Sequence, residues 1–268
     1  MTEKSPSMPI AVFDSGVGGL TVLRSLAQAF PKEDFIYLGD TARLPYGTKS
    51  PVTIRQYVEQ NIRFLLGRRV KAIVVACNSA SSVLDPSVKA PVPIYNVIDP
   101  GAIAAVSASQ SGKIGVIATR TTVAQQAYVK AIHVLDPTAE VYQQACPLLV
   151  PLVEEGWVDD PLANLVVHRY LSPIKNSGVD TLIMGCTHYP VLREAMGKVM
   201  GQDVTLVDSG EAIAQLMDQD IKNKRLLPNP IGQGRLDLLS TDMAENFRLM
   251  AERILHPLAP ASFTHVDL

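Results

Sequence analysis

Short apolar runs alternate with amphipathic stretches along most of the chain. Pro9 to Phe13, Phe35 to Leu38, Ile73 to Ala76, Pro91 to Val97, Lys113 to Thr119, Leu182 to Met184 and Val204 to Val207 have the length and composition of strands. Between them, Leu20 to Phe30, Ala102 to Ser109, Val123 to Val134, Val191 to Met200 and Glu211 to Lys222 read as helices. Ser50-Pro51 predicts an N-cap and a first helical residue, with Ile54, Tyr57, Val58 and Phe64 on the apolar face that follows. Leu236 to Ser240 reads as a final strand and Ala244 to Leu255 as a closing helix. Alternation of this kind predicts an α/β fold, with mostly parallel sheets flanked by helices.

Two stretches share one plan. Ile73 to Ala76 runs into Cys77-Asn78-Ser79, and Leu182 to Gly185 runs into Cys186-Thr187-His188. The opening strand also has an echo, since IAVFDSG from Ile10 aligns with IGVIATR from Ile114 at an offset close to that between the two cysteines. The repeat predicts two pseudo-symmetric lobes, residues 1–97 plus 208–268 and residues 98–207, with a cleft between them. Ligands of open α/β sheets bind at the carboxyl ends of the strands, where both cysteines fall.

Composition narrows the function classes. The chain has 268 residues, 47% apolar and 19% charged, with a formal net charge of −2, so it carries no electrostatic footprint for nucleic acid or an anionic membrane. No run approaches the roughly 20 apolar residues of a membrane span. Three cysteines, with no CxxC pair and no secretory signal, point to reduced thiols in the cytoplasm and argue against a zinc site.

Two thiols facing each other across a planar carbanion can take a proton from one face and return one to the other, which inverts a carbon centre. A thiol suits this because its ordinary pKa, about 8.5, can be tuned by its neighbours. Candidate neighbours are His188, two residues after Cys186, Asp14 at the end of the first strand, and Glu154 or Glu155 in PLVEEG. Asn78, Ser79, Thr119 and Thr187 are suited to hold a carboxylate and developing charge. Structural readings stand beside these. A strand-end cysteine is often core, and Cys146 reads as structural. His188 also fits a hydrogen-bonded structural role, Asp208-Ser209 a helix cap, and Trp157 packing, although it follows Glu154-Glu155-Gly156 toward the cleft. The turn Gly16-Val17-Gly18-Gly19 resembles a dinucleotide fingerprint, with Asp40 where an acidic residue belongs, but Thr21 stands where the third glycine should.

FDSGVGGLTVL, YLGDTARLPYGTKS, ACNSAS, GVIAT, PLVEEG and GCTHYP, in that order, resemble the glutamate racemases of the aspartate/glutamate racemase family over nearly the whole chain. The resemblance implies two α/β lobes with the site between them and racemization of L-glutamate to D-glutamate for peptidoglycan, without a cofactor. It implies Cys77 and Cys186 as the catalytic acid/bases, Asp14 assisting Cys77, and His188 and Glu154 assisting Cys186. Substrate contacts are implied at Asp14, Ser15, Pro45, Tyr46, Gly47, Asn78, Ser79, Thr119, Thr122, Thr187 and His188. Cys186 is implied to act on L-glutamate and Cys77 on D-glutamate. A homodimer is also implied. Only the short polar segment Met1 to Met8 precedes the first strand, so activity without an activator is expected. Two alternatives stay open: a racemase of the same family acting on aspartate or a hydantoin, and a non-catalytic dicarboxylate-binding protein.

Overall fold

The computed structural model describes residues 5–85, 88, 90–243 and 245–268. The first apolar run becomes β1 (Ile10–Asp14), buried throughout, and the glycine turn after it leads into α1 (Leu20–Ala29). β2 (Phe35–Gly39) follows, then short 3₁₀ turns at Thr41–Arg43 and Tyr46–Thr48. In α2 (Pro51–Leu66) the Ser50 side chain accepts from the Thr53 N–H and Pro51 takes the first position, as the Ser-Pro pair predicts. β3 (Ala72–Val75), α3 (Asn78–Ser81) and β4 (Ile94–Asn96) come next.

α4 (Ile98–Ala108) begins earlier than Ala102 because the Asn96 side chain accepts from the Ile98 and Asp99 N–H groups and caps it there. After β5 (Lys113–Ala118), the helix read from Val123 to Val134 is two helices, α5 (Arg120–Ala124) and α6 (Ala127–Leu135). They are separated at Gln126, whose φ of 51° lies in the left-handed region. β6 (Glu140–Ala145), α7 (Leu149–Glu154) and α8 (Pro161–Asn176) follow, then β7 (Thr181–Gly185). The helix expected from Val191 opens as a 3₁₀ turn, Tyr189–Leu192, before α9 (Arg193–Met200).

β8 (Thr205–Asp208), α10 (Ser209–Lys222), β9 (Leu236–Ser240), α11 (Glu245–Leu255) and β10 (Ser262–His265) complete the chain. Leu236–Ser240 is therefore not the last strand, because β10 pairs with it in parallel. Ala244, the expected start of the closing helix, and Met1 to Lys4 of the leading segment lie outside the described residues.

Among the described residues two parallel sheets form, one ordered β10-β9-β2-β1-β3-β4 and the other β6-β5-β7-β8. The series β2-β1-β3-β4 and β6-β5-β7-β8 have the same plan, which gives the sequence repeat a structural counterpart: β1 corresponds to β5, and β3 to β7. Alternating side chains split each sheet into two faces. Val12 and Val74 share one apolar cluster with Leu182 and Met184, so the inner faces of both sheets meet in a common core. Phe13, Ile73 and Val75 pack with α2 residues, and Val116, Ala118 and Ile183 with α4 and α6 residues.

Candidate active site

Parallel register brings the chemistry to adjacent strand ends. Phe13 pairs with Val75, so Asp14 leaves β1 beside the segment that carries Cys77 beyond β3. Ala118 pairs with Gly185, so Thr119 and Cys186 leave β5 and β7 side by side. The two strand-end groups face one cavity of about 230 Å³, lined by both Cys77 and Cys186. Each cysteine is 5% exposed.

The surroundings of the two sulfurs differ. Cys77 Sγ lies 3.8 Å from Ser15 Oγ, to which the thiol donates. Burial and the nearby Asp14 carboxylate push the Cys77 thiol well above its ordinary range, so the sulfur keeps its proton. Asp14 itself is fully buried but does not line the cavity. Its carboxylate accepts from the Gly16 N–H at 2.9 Å and from Thr187 Oγ1 at 3.2 Å, linking the two sheets' strand ends.

Cys186 Sγ lies 3.8 Å from His188 Nδ1, and His188 Nε2 lies 3.1 Å from Glu154 Oε1. Burial disfavours the imidazolium, but the sulfur on one side and the carboxylate on the other outweigh it and raise the His188 pKa to about 10. A cationic His188 thus stands beside this sulfur, suited to hold negative charge there. Glu155 is exposed and makes no contact of this kind, whereas Glu154 lines the cavity.

The glycine turn after β1 serves close approach rather than phosphate binding. A Cβ at Gly18 would fall on His188 Nδ1 and Thr187 Oγ1, and one at Gly19 would fall on Asp14 Cβ. Asp40 is likewise occupied internally. It accepts from Arg43 Nε and from the Tyr46 hydroxyl, holding the Pro45–Thr48 turn in place.

Most of the remaining predicted residues meet at the cavity. Ser15, Pro45, Gly47, Asn78, Ser79, Thr119, Thr187 and His188 line it. Ser79 Oγ and Thr119 Oγ1 lie 2.8 Å apart, joining the two strand-end groups, and Thr119 Oγ1 is 3.0 Å from Thr122 Oγ1. Thr122 sits behind Thr119 and does not line the cavity. Tyr46 is fully buried with its hydroxyl on Asp40 and Asn61, so its side chain does not line it either. Asn78 Nδ2 donates to Tyr128 Oη at 3.0 Å and Ser209 Oγ at 3.1 Å, and its Oδ1 is buried without a hydrogen-bond partner among the described residues. Asp208 caps α10 by accepting from the Gly210 and Glu211 N–H groups.

Sequence reasoning missed Thr48, Arg120, Pro147, Val150 and Pro151, which also line the cavity. Thr48 lies within YLGDTARLPYGTKS, and the others lie in or beside GVIAT and PLVEEG, the only signals that pointed toward them. It also missed Thr121, whose hydroxyl donates to Gly47 O at 3.1 Å and Lys49 O at 3.2 Å, tying α5 to the Pro45–Thr48 turn. Cys146 is fully buried and lies outside the lining, and Trp157 is 46% exposed and also outside it. No group of metal-ligating side chains occurs among the described residues.

Residues 10–217 match the model of the Asp/Glu/hydantoin racemase family. The chain is 44% identical over 252 residues to the glutamate racemase of Geobacter metallireducens, covering 93% of each chain. Its fold is similar to that of a glutamate racemase from Bacillus anthracis, with a TM-score of 0.93 at 36% identity, covering 98% of this chain and 99% of that one. The glutamate racemase of Francisella tularensis, solved in complex with D-glutamate, gives a TM-score of 0.90 at 35% identity and 98% coverage of each chain.

Proposed function

Because the chain belongs to the Asp/Glu/hydantoin racemase family, we propose that it interconverts L- and D-glutamate by two opposed thiols and supplies D-glutamate for peptidoglycan. The observation that carries this reading is the pairing of Cys77 and Cys186 on one cavity. In the L-to-D direction Cys186, as thiolate beside cationic His188, takes the α-proton, and Cys77, as thiol, delivers one to the opposite face. The roles exchange in the reverse direction, as microscopic reversibility requires.

Glu154 orients His188 and balances its charge. Asp14 acts on Cys77 as a nearby charge and holds Thr187 in register. Asn78 Oδ1 is suited to accept from the substrate ammonium, since its amide nitrogen is already committed. Ser15, Ser79, Thr119 and Thr187 hydroxyls, with backbone N–H groups of the Pro45–Thr48 turn, are suited to hold the carboxylates. Tyr46 and Thr122 act behind this layer, by fixing the turn and Thr119. On this reading no cofactor takes part, residues 1–97 with 208–268 and residues 98–207 form the two lobes, and the protein works in the cytoplasm as a homodimer without nucleic-acid or membrane partners. No helix among the described residues is long and apolar enough to cross a membrane.

The test is a comparison of kcat/KM for L-glutamate, L-aspartate and a hydantoin, with no pyridoxal phosphate added. L-Glutamate is expected to lead by at least about a hundredfold, since a mismatched side-chain length leaves buried polar groups unpaired. A preference for aspartate or the hydantoin would overturn the substrate assignment. Binding of glutamate without any loss of optical activity would overturn the enzymatic one.

A further inference from the structure

Beside the thiol cavity lies a second hollow of about 260 Å³, which shares Gly47, Thr48 and Arg120 with it and adds Lys49 to its lining. The two hollows adjoin at these shared residues, and we read the first as an inner chamber and the second as its outer vestibule. The charges are distributed unevenly between them. The chamber carries one carboxylate, Glu154, and that group is engaged by His188. The vestibule lining holds two cations, Lys49 and Arg120, and no acidic residue. Neither side chain makes a hydrogen bond or ion pair with any described residue, so both charges are available to a ligand. Arg120 is exposed and stands on the boundary, contributing to both hollows.

This local excess of positive charge runs against the whole chain, whose net charge is −2. At neutral pH glutamate carries two carboxylates and one ammonium, and it must pass from solvent to a chamber whose buried thiols, hydroxyls and amide supply no second free cation. A fixed positive charge on the approach raises the local concentration of an anion and speeds its capture, an effect that salt screens. A guanidinium also offers a planar fork matched to a carboxylate, which an ammonium does not.

We propose that Arg120, supported by Lys49, captures the side-chain carboxylate of the substrate at the cavity mouth and so sets KM and the salt dependence of kcat/KM. The inference rests on the glutamate racemase reading and extends it to a residue of the vestibule. Arg120 makes no hydrogen bond to Ser15 or His188, the sulfurs' partners, and on this inference its contribution is the same for both enantiomers and for the ground and transition states. Enantiomers have equal free energy, so kcat/KM must change by the same factor in both directions.

The experiment measures racemization of L- and D-glutamate by the full chain and by Arg120→Ala, Arg120→Lys, Arg120→Glu and Lys49→Ala. Each is assayed at about 0.01 M and about 1 M salt, where the Debye length is about 30 Å and about 3 Å. Arg120→Ala is expected to lower kcat/KM about tenfold at low salt through KM, with kcat within about twofold and a flattened salt response. Arg120→Glu should fall further, Lys49→Ala less, and Arg120→Lys should keep most of the salt response while losing part of the affinity. Arg120→Ala and Arg120→Glu with the parent KM and salt slope would overturn the inference while leaving the racemase reading intact. A loss in kcat rather than KM would also overturn it. A parent chain that racemizes neither enantiomer would defeat the racemase reading, and the inference with it.

Discussion

The two thiols reach one cavity by the same route and meet opposite electrostatics there. Cys77 leaves β3 beside a buried carboxylate and a serine hydroxyl, and burial with Asp14 keeps its proton on. Cys186 leaves β7 beside an imidazole that the sulfur and Glu154 together hold protonated up to about pH 10. Two-base chemistry needs one acid and one base at rest, and a symmetric pair of sites would give two of the same kind. The repeat supplies the geometry, and the few residues that break the repeat, Asp14 on one side and His188 with Glu154 on the other, supply the difference in charge.

Removing either sulfur tests that division most severely. Cys77→Ala and Cys186→Ala are each expected to lower racemization by at least about a thousandfold, the scale of a lost general acid or base. The residual chemistry should differ. Cys77→Ala should still exchange the α-proton of L-glutamate in D₂O, and Cys186→Ala that of D-glutamate. The reverse pairing would exchange the roles of the two sides.

His188→Asn removes the cation but leaves both sulfurs, and a loss of about a hundredfold in kcat/KM is expected, equal in the two directions. The asymmetry belongs in kcat: the fall should be larger from L-glutamate than from D-glutamate, with KM for L-glutamate falling alongside. An equal fall in kcat from both enantiomers would mean that His188 does not serve one side.

The same residue makes a prediction about stability. An unfolded histidine releases its proton near pH 6.5, whereas folded His188 keeps its proton to about 10. The folded state therefore binds more protons within that window. Its stabilisation is complete below about pH 6.5 and is lost as pH rises toward about 10. Urea unfolding of the parent chain and His188→Asn across this range should show the gap narrowing with rising pH. A widening gap would contradict the charge assignment.

Thr121→Val cuts the contacts from α5 to Gly47 and Lys49 without touching either sulfur. It is expected to cost about 1 kcal/mol of stability and to raise KM about threefold. Cys146→Ala is the internal control. That residue is fully buried outside the cavity, so a loss of about 1–2 kcal/mol with kcat within about twofold is expected, and a large activity loss would show that the third thiol is not structural.

Much of this architecture was legible because its signals are local. The Ser50-Pro51 helix start and the strand-end placement of Cys77 and Cys186 follow from residues adjacent in the chain. β6 escaped because it is an edge strand whose Tyr-Gln-Gln stretch is half-buried and carries little apolar alternation. α8 has the same proline start as α2, with Asp160 accepting from the Leu162 N–H, a helix start carried by the adjacent pair Asp160-Pro161. The break at Gln126 rests on one backbone angle that composition does not report. At the site, the contact of Glu154 rather than Glu155 with His188 depends on how the last turn of α7 presents its side chains. Arg120 and Thr121 became visible only when the Pro45–Thr48 turn was seen against α5, a contact between residues distant in the chain.

Incubation of the protein with L-glutamate in D₂O, followed by NMR of the α-position and by polarimetry, tests the central claim most directly. Two opposed thiols predict that optical rotation decays as D-glutamate accumulates already carrying α-deuterium, while the remaining L-glutamate keeps its protium at early times. Deuterium entering L-glutamate with its rotation unchanged would contradict the account, because a single base would then be doing the chemistry.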